Sequence, residues 1–292
     1  MIKVLAPAKI NFTLDITGKL PNGYHTVDMI MQSVNLCDVI TVEKSRNSGI
    51  TLTCDKDFVP CNNSNTAYKA VEFFSEYSNI ECNVNVHIQK NIPAQAGLAG
   101  GSTDGAGVLL ALNKLYNTNL SVDTLAKLGE KIGADVPFCL YGGTMLATGI
   151  GTTLKKIDHS FNLESYHIIL CKPQINVSTP EAYKRSDNRP FSKTVHSKAV
   201  INALKLCDES AFCNGLYNDF DSLLMLDEVQ HIKSVMTNND CLTSVMSGSG
   251  PTVYGIYKNK EQAQRTAEIL KKEYSDVYVT KACNYGCIIS EK

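Results

Sequence analysis

From residue 9 to residue 16 the chain alternates: Ile10, Phe12, Leu14 and Ile16 fall between Lys9, Asn11, Thr13 and Asp15. That period of two predicts a strand with one buried face, and it sets Lys9 and Asn11 side by side on the polar face. Pro21-Asn22-Gly23 supplies a turn, and residues 24–34 predict the returning strand of a hairpin. Further strands are expected over 39–43, 50–54 and 82–89. Between the last two, helical spacing over 66–77 puts Ala67, Ala70, Val71 and Phe74 on one face. A glycine-rich loop at 94–101 leads into a helix expected over 102–116. A second helix, over 122–132, has Ser121 as its N-cap. Residues 133–137 open another turn or helix start, with Pro137 in the favourable first turn, and a strand follows at 144–148. The polar stretch 155–164 marks a boundary, giving expected domains of 1–155 and 156–292. Beyond it the pattern predicts strands at 167–171, 243–246, 252–257 and 277–280, with helices at 195–206, 221–236 and 260–271. Strands mixed with helices throughout imply an α+β architecture in layers.

Composition narrows the function classes. A length of 292 residues suits roughly two domains. With 43% hydrophobic and 20% charged residues the chain is neither a fibre nor a disordered tail. Lys+Arg 28 against Asp+Glu 29 leaves −1, so no net basic field favours nucleic acid or an anionic membrane. The longest apolar runs, 108–112 and 168–171, are far shorter than the roughly 20 residues of a membrane span. Pro7 and Lys9 interrupt the start before a signal-peptide core can form. Eleven cysteines, an odd number without C-x-x-C pairs, point to reduced thiols and a cytoplasmic protein. Six scattered histidines without H-E-x-x-H predict no resident metal site.

The chemistry concentrates in three places. Pro93-Ala94-Gln95-Ala96-Gly97-Leu98-Ala99-Gly100-Gly101-Ser102-Thr103-Asp104 lies between an alternating strand and a helix. Its glycines let backbone N–H groups converge, and the helix start adds unpaired donors and positive dipole, a combination suited to phosphate oxygens. Ser102 and Thr103 could add hydroxyls to a phosphate or its magnesium. The loop matches neither a Walker motif nor G-x-G-x-x-G, and the competing reading is a tightly packed helix start. Asp135 is either a helix cap or a group that takes or orients a proton in phosphoryl transfer. Lys9 belongs to a solvated face, or it stabilises the charge of a transferring group. Ser247-Gly248-Ser249-Gly250-Pro251-Thr252 is a tight strand connection or a second backbone cradle. Val245 stands where a nucleophile elbow would need glycine. Tyr24, His25 and Tyr183 could pack structurally or form a slot for a planar base.

In combination these segments resemble the GHMP kinase superfamily over almost the whole chain. Three motifs occur in order: Ala6-Pro7-Ala8-Lys9-Ile10-Asn11, the 93–104 loop and residues 246–252. Within the superfamily the likeness is to the branch whose acceptor is a cytidine-diphosphate-linked methylerythritol. It rests on Pro21-Asn22-Gly23-Tyr24-His25, Gly133-Ala134-Asp135-Val136-Pro137, Val177-Ser178-Thr179-Pro180 with Tyr183, and Asn218-Asp219. The resemblance implies an N-terminal domain like ribosomal protein S5 domain 2 and an α+β C-terminal domain. It implies ATP on residues 94–104 with Asn65 near the adenine, and Mg2+ accompanying the nucleotide. Lys9 and Asp135 match the catalytic pair. Asp135 would take or orient the proton of the acceptor's 2-hydroxyl, on the non-mevalonate route to isoprenoid precursors. Tyr24 and Tyr183 would sandwich the cytosine, His25 would read its edge and Asn11 would touch the acceptor. Thr103 and Gly105 stand where Ser and Ala are commoner. No protein partner is implied. The competing readings are a sister kinase for mevalonate, homoserine or a sugar, and a nucleotide or sugar sensor without transfer activity.

Overall fold

The computed structural model describes residues 1–191 and 193–290. Two long strands, β1 (Ile2–Lys19) and β2 (His25–Lys44), form the hairpin that organises the first sheet. The second of these joins the segments expected at 24–34 and 39–43 into one strand. β3 (Ile50–Cys54), β4 (Val84–Gln89), β5 (Thr144–Gly149) and β6 (Thr153–Lys156) extend it, with β3 parallel to β4 and the others antiparallel to their neighbours. Helices α1 (Thr66–Ser78), α2 (Gly100–Leu115), α3 (Val122–Glu130) and α4 (Val136–Tyr141) complete the first half. In the second half β7 (His167–Lys172), β9 (Thr243–Met246), β10 (Val253–Tyr257) and β11 (Asp276–Thr280) make a four-stranded sheet in the order β11-β7-β10-β9. Two short segments, β8 (Tyr217–Asn218) and β12 (Ile288–Ile289), return to pair with β1. The expected division between residues 155 and 156 falls inside β6. The remaining helices are α5 (Thr179–Ser186), α6 (Ser197–Leu206), α7 (Glu209–Gly215), α8 (Asp219–Leu224), α9 (Asp227–Thr237) and α10 (Lys260–Leu270).

The alternation of β1 does not give one face. Its register against β2 shifts at Pro7/Ala8 and again at Asn11/Thr13. At the first shift Asn35 and Leu36 of β2 are left out of the pairing, at the second Phe12 of β1 is, and the buried positions of β1 change side across each. Val4, Ala6, Leu14 and Ile16 thus pack in the core that holds α1 to α4, whereas Ala8, Ile10 and Phe12 pack with α6, α7 and the second sheet. Lys9 and Asn11 consequently lie on the α2 side of the sheet. Both are buried, so the polar face expected there is an interior one.

Other differences have local causes. The helix expected over 221–236 is two, α8 and α9, because Met225 takes a left-handed conformation (φ 47°) that ends α8. Helix α5 was not anticipated, although Ser178 caps it through the N–H of Glu181 and Pro180 sits in its first turn. All eleven cysteines are free thiols. Among the described residues no helix is long and apolar enough to cross a membrane.

Candidate active site

A cleft of about 2230 Å³ runs between the glycine loop and the second half. Helix α2 begins two residues earlier than expected, at Gly100. Its N-cap, Ala99, is left-handed (φ 58°) and has no side chain to cap the first turn. Gln95 and Gly97 are left-handed too, so the backbone reverses its sense repeatedly before the helix starts. The outcome is an uncapped helix N-terminus facing the cleft, the local requirement for holding an anion.

The loop is pinned from two directions. The Lys9 N–H donates to the Leu98 carbonyl at 3.1 Å, tying the loop to β1. The Ser247 hydroxyl donates to the Gly97 carbonyl at 3.0 Å, tying it to the β9–β10 connection. That connection is itself set by Asn218, whose side-chain amide donates to the carbonyls of Met246 and Gly248 at 2.6 and 2.8 Å. The 247–252 segment is therefore a strand connection that also closes against the glycine loop.

Lys9 and Asp135 meet in this cleft. The ammonium is 3.9 Å from the Asp135 carboxylate and 2.7 Å from Asn11 Oδ1. Asp135 occupies the N-cap position of α4 but makes no side-chain cap hydrogen bond, which leaves the carboxylate turned to the cleft. Asn11 does not reach the cleft. It is fully buried, accepts from Lys9 and donates to Met29 Sδ, so it steadies the ammonium from behind. The strand places Asn11, the residue expected to touch the acceptor, beneath Lys9.

The loop residues divide in the same way. Ala94, Gln95, Ala96, Gly97, Ala99, Gly100, Gly101 and Ser102 line the cleft. Leu98 is in the core, and the Thr103 hydroxyl donates to the Pro7 carbonyl at 2.9 Å, so neither side chain is offered to a phosphate. Asp104 gives its carboxylate to Lys90 at 2.8 Å. Asn65 lines the cleft while capping α1 through Ala67 N–H and donating to the Pro60 carbonyl.

At the other end, His25 lies flat on Tyr183 with centroids 4.9 Å apart and planes 24° apart. Tyr183 in turn meets Phe220 edge-on. Tyr24 is exposed at the rim and does not stack on Tyr183, so the pair expected to sandwich a base is open here and His25 covers the Tyr183 face. Burial pushes the Tyr183 phenol up, and the Asp135 charge adds to that shift. Asp187, which sequence reasoning missed, holds His25 Nε2 at 2.7 Å and Lys19 at 2.5 Å. Hydrogen bonds from Lys19 and His25 keep its carboxyl below the usual range. The available signal was Tyr183 and Asp187 spaced four apart at the end of one helix.

The family described as GHMP kinases N terminal domain matches residues 65–143, and that described as GHMP kinases C terminal matches residues 203–276. The 4-diphosphocytidyl-2-C-methyl-D-erythritol kinase of Clostridium perfringens is 41% identical over 290 residues, 97% of this chain and 99% of that one. The chain belongs to the GHMP kinases. The 4-diphosphocytidyl-2-C-methyl-D-erythritol kinase of Caldicellulosiruptor saccharolyticus is 40% identical, covering 95% of this chain and 96% of its own. A crystal structure of 4-(cytidine 5'-diphospho)-2C-methyl-D-erythritol kinase superposes with a TM-score of 0.80 at 28% identity, over 96% of this chain and 98% of that one. A homoserine kinase from Cytophaga hutchinsonii, at 19% identity and TM-score 0.78 over 99% and 97% of the two chains, shares the GHMP kinase fold.

Proposed function

We propose that this GHMP kinase transfers the γ-phosphoryl group of ATP to the 2-hydroxyl of 4-diphosphocytidyl-2-C-methyl-D-erythritol. The carrying observation is the Lys9–Asp135 pair, 3.9 Å apart beside an uncapped helix N-terminus and in the same cleft as Tyr24, His25 and Tyr183. The backbone N–H groups of Gly100, Gly101 and Ser102 hold the phosphates, with Asn65 toward the adenine. Asp135 accepts or orients the proton of the acceptor hydroxyl as its oxygen attacks phosphorus. Lys9 offsets the negative charge that grows on the phosphoryl oxygens, and Asn11 holds its ammonium in line. As units of this fold we propose 1–155 for the part bearing the nucleotide loop and 156–292 for the part closing on it.

Magnesium is expected with the nucleotide. Among the described residues no group of three or more His, Cys, Asp or Glu could hold a metal by itself. That suits an ion bound chiefly by phosphates and waters with one or two protein oxygens. Ser102, in the first turn of α2, is the hydroxyl placed to supply one. The ion would neutralise phosphate charge during transfer.

The test supplies ATP, magnesium and one acceptor at a time and measures ADP. Turnover with the cytidine compound and not with mevalonate or homoserine is expected, and the reverse pattern would overturn the proposal. For the base slot, Tyr24→Ala should raise KM for the acceptor about tenfold while KM for ATP changes less than about twofold. Equal changes in both would assign Tyr24 to the fold instead.

A further inference from the structure

Lys90 follows β4 directly, and its ammonium meets Asp38 of β2 at 2.5 Å and Asp104 of α2 at 2.8 Å. The second oxygen of Asp38 accepts the N–H groups of Asn91 and Ile92 at 2.6 and 2.8 Å. One carboxylate therefore fixes both the Lys90 side chain and the backbone that runs on into the glycine loop. Gly100, the first residue of α2, packs directly on the ammonium: a Cβ there would lie 3.2 Å from Nζ. Asp104 stands one turn further along the same helix. The trio thus joins a strand of the hairpin, the entrance to the loop and the helix N-terminus at one point.

Stability does not explain this arrangement. Two carboxylates share one ammonium among side chains 6% exposed or less, Asp104 Oδ1 has no partner among the described residues, and burial, with the Asp38 charge adding to it, pushes the Asp104 carboxyl well above the usual carboxylate range. Buried ion pairs contribute little against an apolar replacement, and a buried carboxyl with an unpartnered oxygen weighs against folding. Burial disfavours the Lys90 ammonium, but Asp104 and Asp38 together more than offset this and raise its pKa. What the trio contributes is position.

We infer that Lys90 is a positioning residue for the phosphate cradle: bridged between Asp38 and Asp104, it fixes the first turn of α2 and so aims the N–H groups of Gly100, Gly101 and Ser102. The inference rests on reading the loop as the ATP site. Because the trio sets phosphate donors, breaking it should weaken ligands in proportion to their phosphates and spare the nucleoside. Lys90→Met leaves two carboxylates facing each other and can unfold the chain, so Asp38→Asn, which keeps the shape and one acceptor, is made beside it. Calorimetry on the full chain would compare ATP with adenosine. In folded variants the Kd for ATP should rise at least about tenfold, while Kd for adenosine and KM for the acceptor stay within about twofold. Lys90→Arg should return ATP affinity to within about threefold of the original, since it keeps the charge between the two carboxylates. Parallel losses for ATP and adenosine, or unchanged ATP affinity in folded Asp38→Asn, would overturn the inference. An unaltered protein that binds neither ATP nor adenosine would instead overturn the reading of the loop beneath it.

Discussion

Asp135→Asn is expected to slow turnover by at least about 100-fold while ATP affinity stays within about twofold, the scale of a lost general base. Asparagine is a particularly informative replacement at this position. Asp135 is the N-cap residue of α4, and asparagine caps a helix about as well as aspartate. If the residue served the helix alone, the variant would be close to normal. Its carboxylate makes no cap hydrogen bond, however, and stands 3.9 Å from the Lys9 ammonium at the cleft wall. The substitution keeps the shape and removes only the capacity to take a proton and to pair with that ammonium. Single-turnover measurements should place the loss in the transfer step, with ATP titration unchanged. Near-normal turnover would reassign Asp135 to α4, and a parallel loss of ATP binding would make it part of the nucleotide site.

How much of this site could be read from the sequence depended on how local each signal was. The glycine loop and the Gly133–Pro137 segment announced themselves because turn chemistry is written in consecutive residues. Lys9 was legible as a polar position on a strand, but its surroundings were not. Two bulges decide which face of β1 it occupies, and a bulge is fixed by pairing with β2 and leaves little trace in one strand. The same holds for Asn11, whose burial beneath Lys9 follows from that face. Helix α5 did carry a signal, Ser178 with Glu181 three residues on, that the apolar pattern obscured because the helix is mostly polar. The break at Met225 had none, since a left-handed methionine is chosen by tertiary contacts and not by its own preference. Asp38, Lys90 and Asp187 escaped because each finds its partners far along the chain. For Asp38 the hint was a charge within an apolar run, between Leu36 and Val42.

Gly97→Ala should lower kcat/KM for ATP by about 100-fold, or about 2.7 kcal/mol, and it separates steric from conformational effects. Gly97 has φ +74°, where an L side chain is strained, and a Cβ built there would lie 2.0 Å from the Ser247 carbonyl oxygen. That carbonyl belongs to the backbone of the β9–β10 connection, which Asn218 holds through two hydrogen bonds, so it cannot step aside without releasing them. The methyl group must therefore push the glycine loop away from the second half. Displacement of the loop would also pull the Leu98 carbonyl from the Lys9 N–H, disturbing the strand that carries the ammonium. Gly49→Ala is the matching control. Its φ of +91° imposes a similar backbone strain, but nothing lies within 4 Å of the added Cβ. It should cost about 1–2 kcal/mol of stability and leave ATP kinetics unchanged. If both variants lose the same stability and neither changes KM for ATP, the closeness of Gly97 to Ser247 has no bearing on the nucleotide. Loss of ATP kinetics in Gly97→Ala alone means that the contact between the two loops, beyond the glycine's backbone freedom, sets the geometry of the phosphate site.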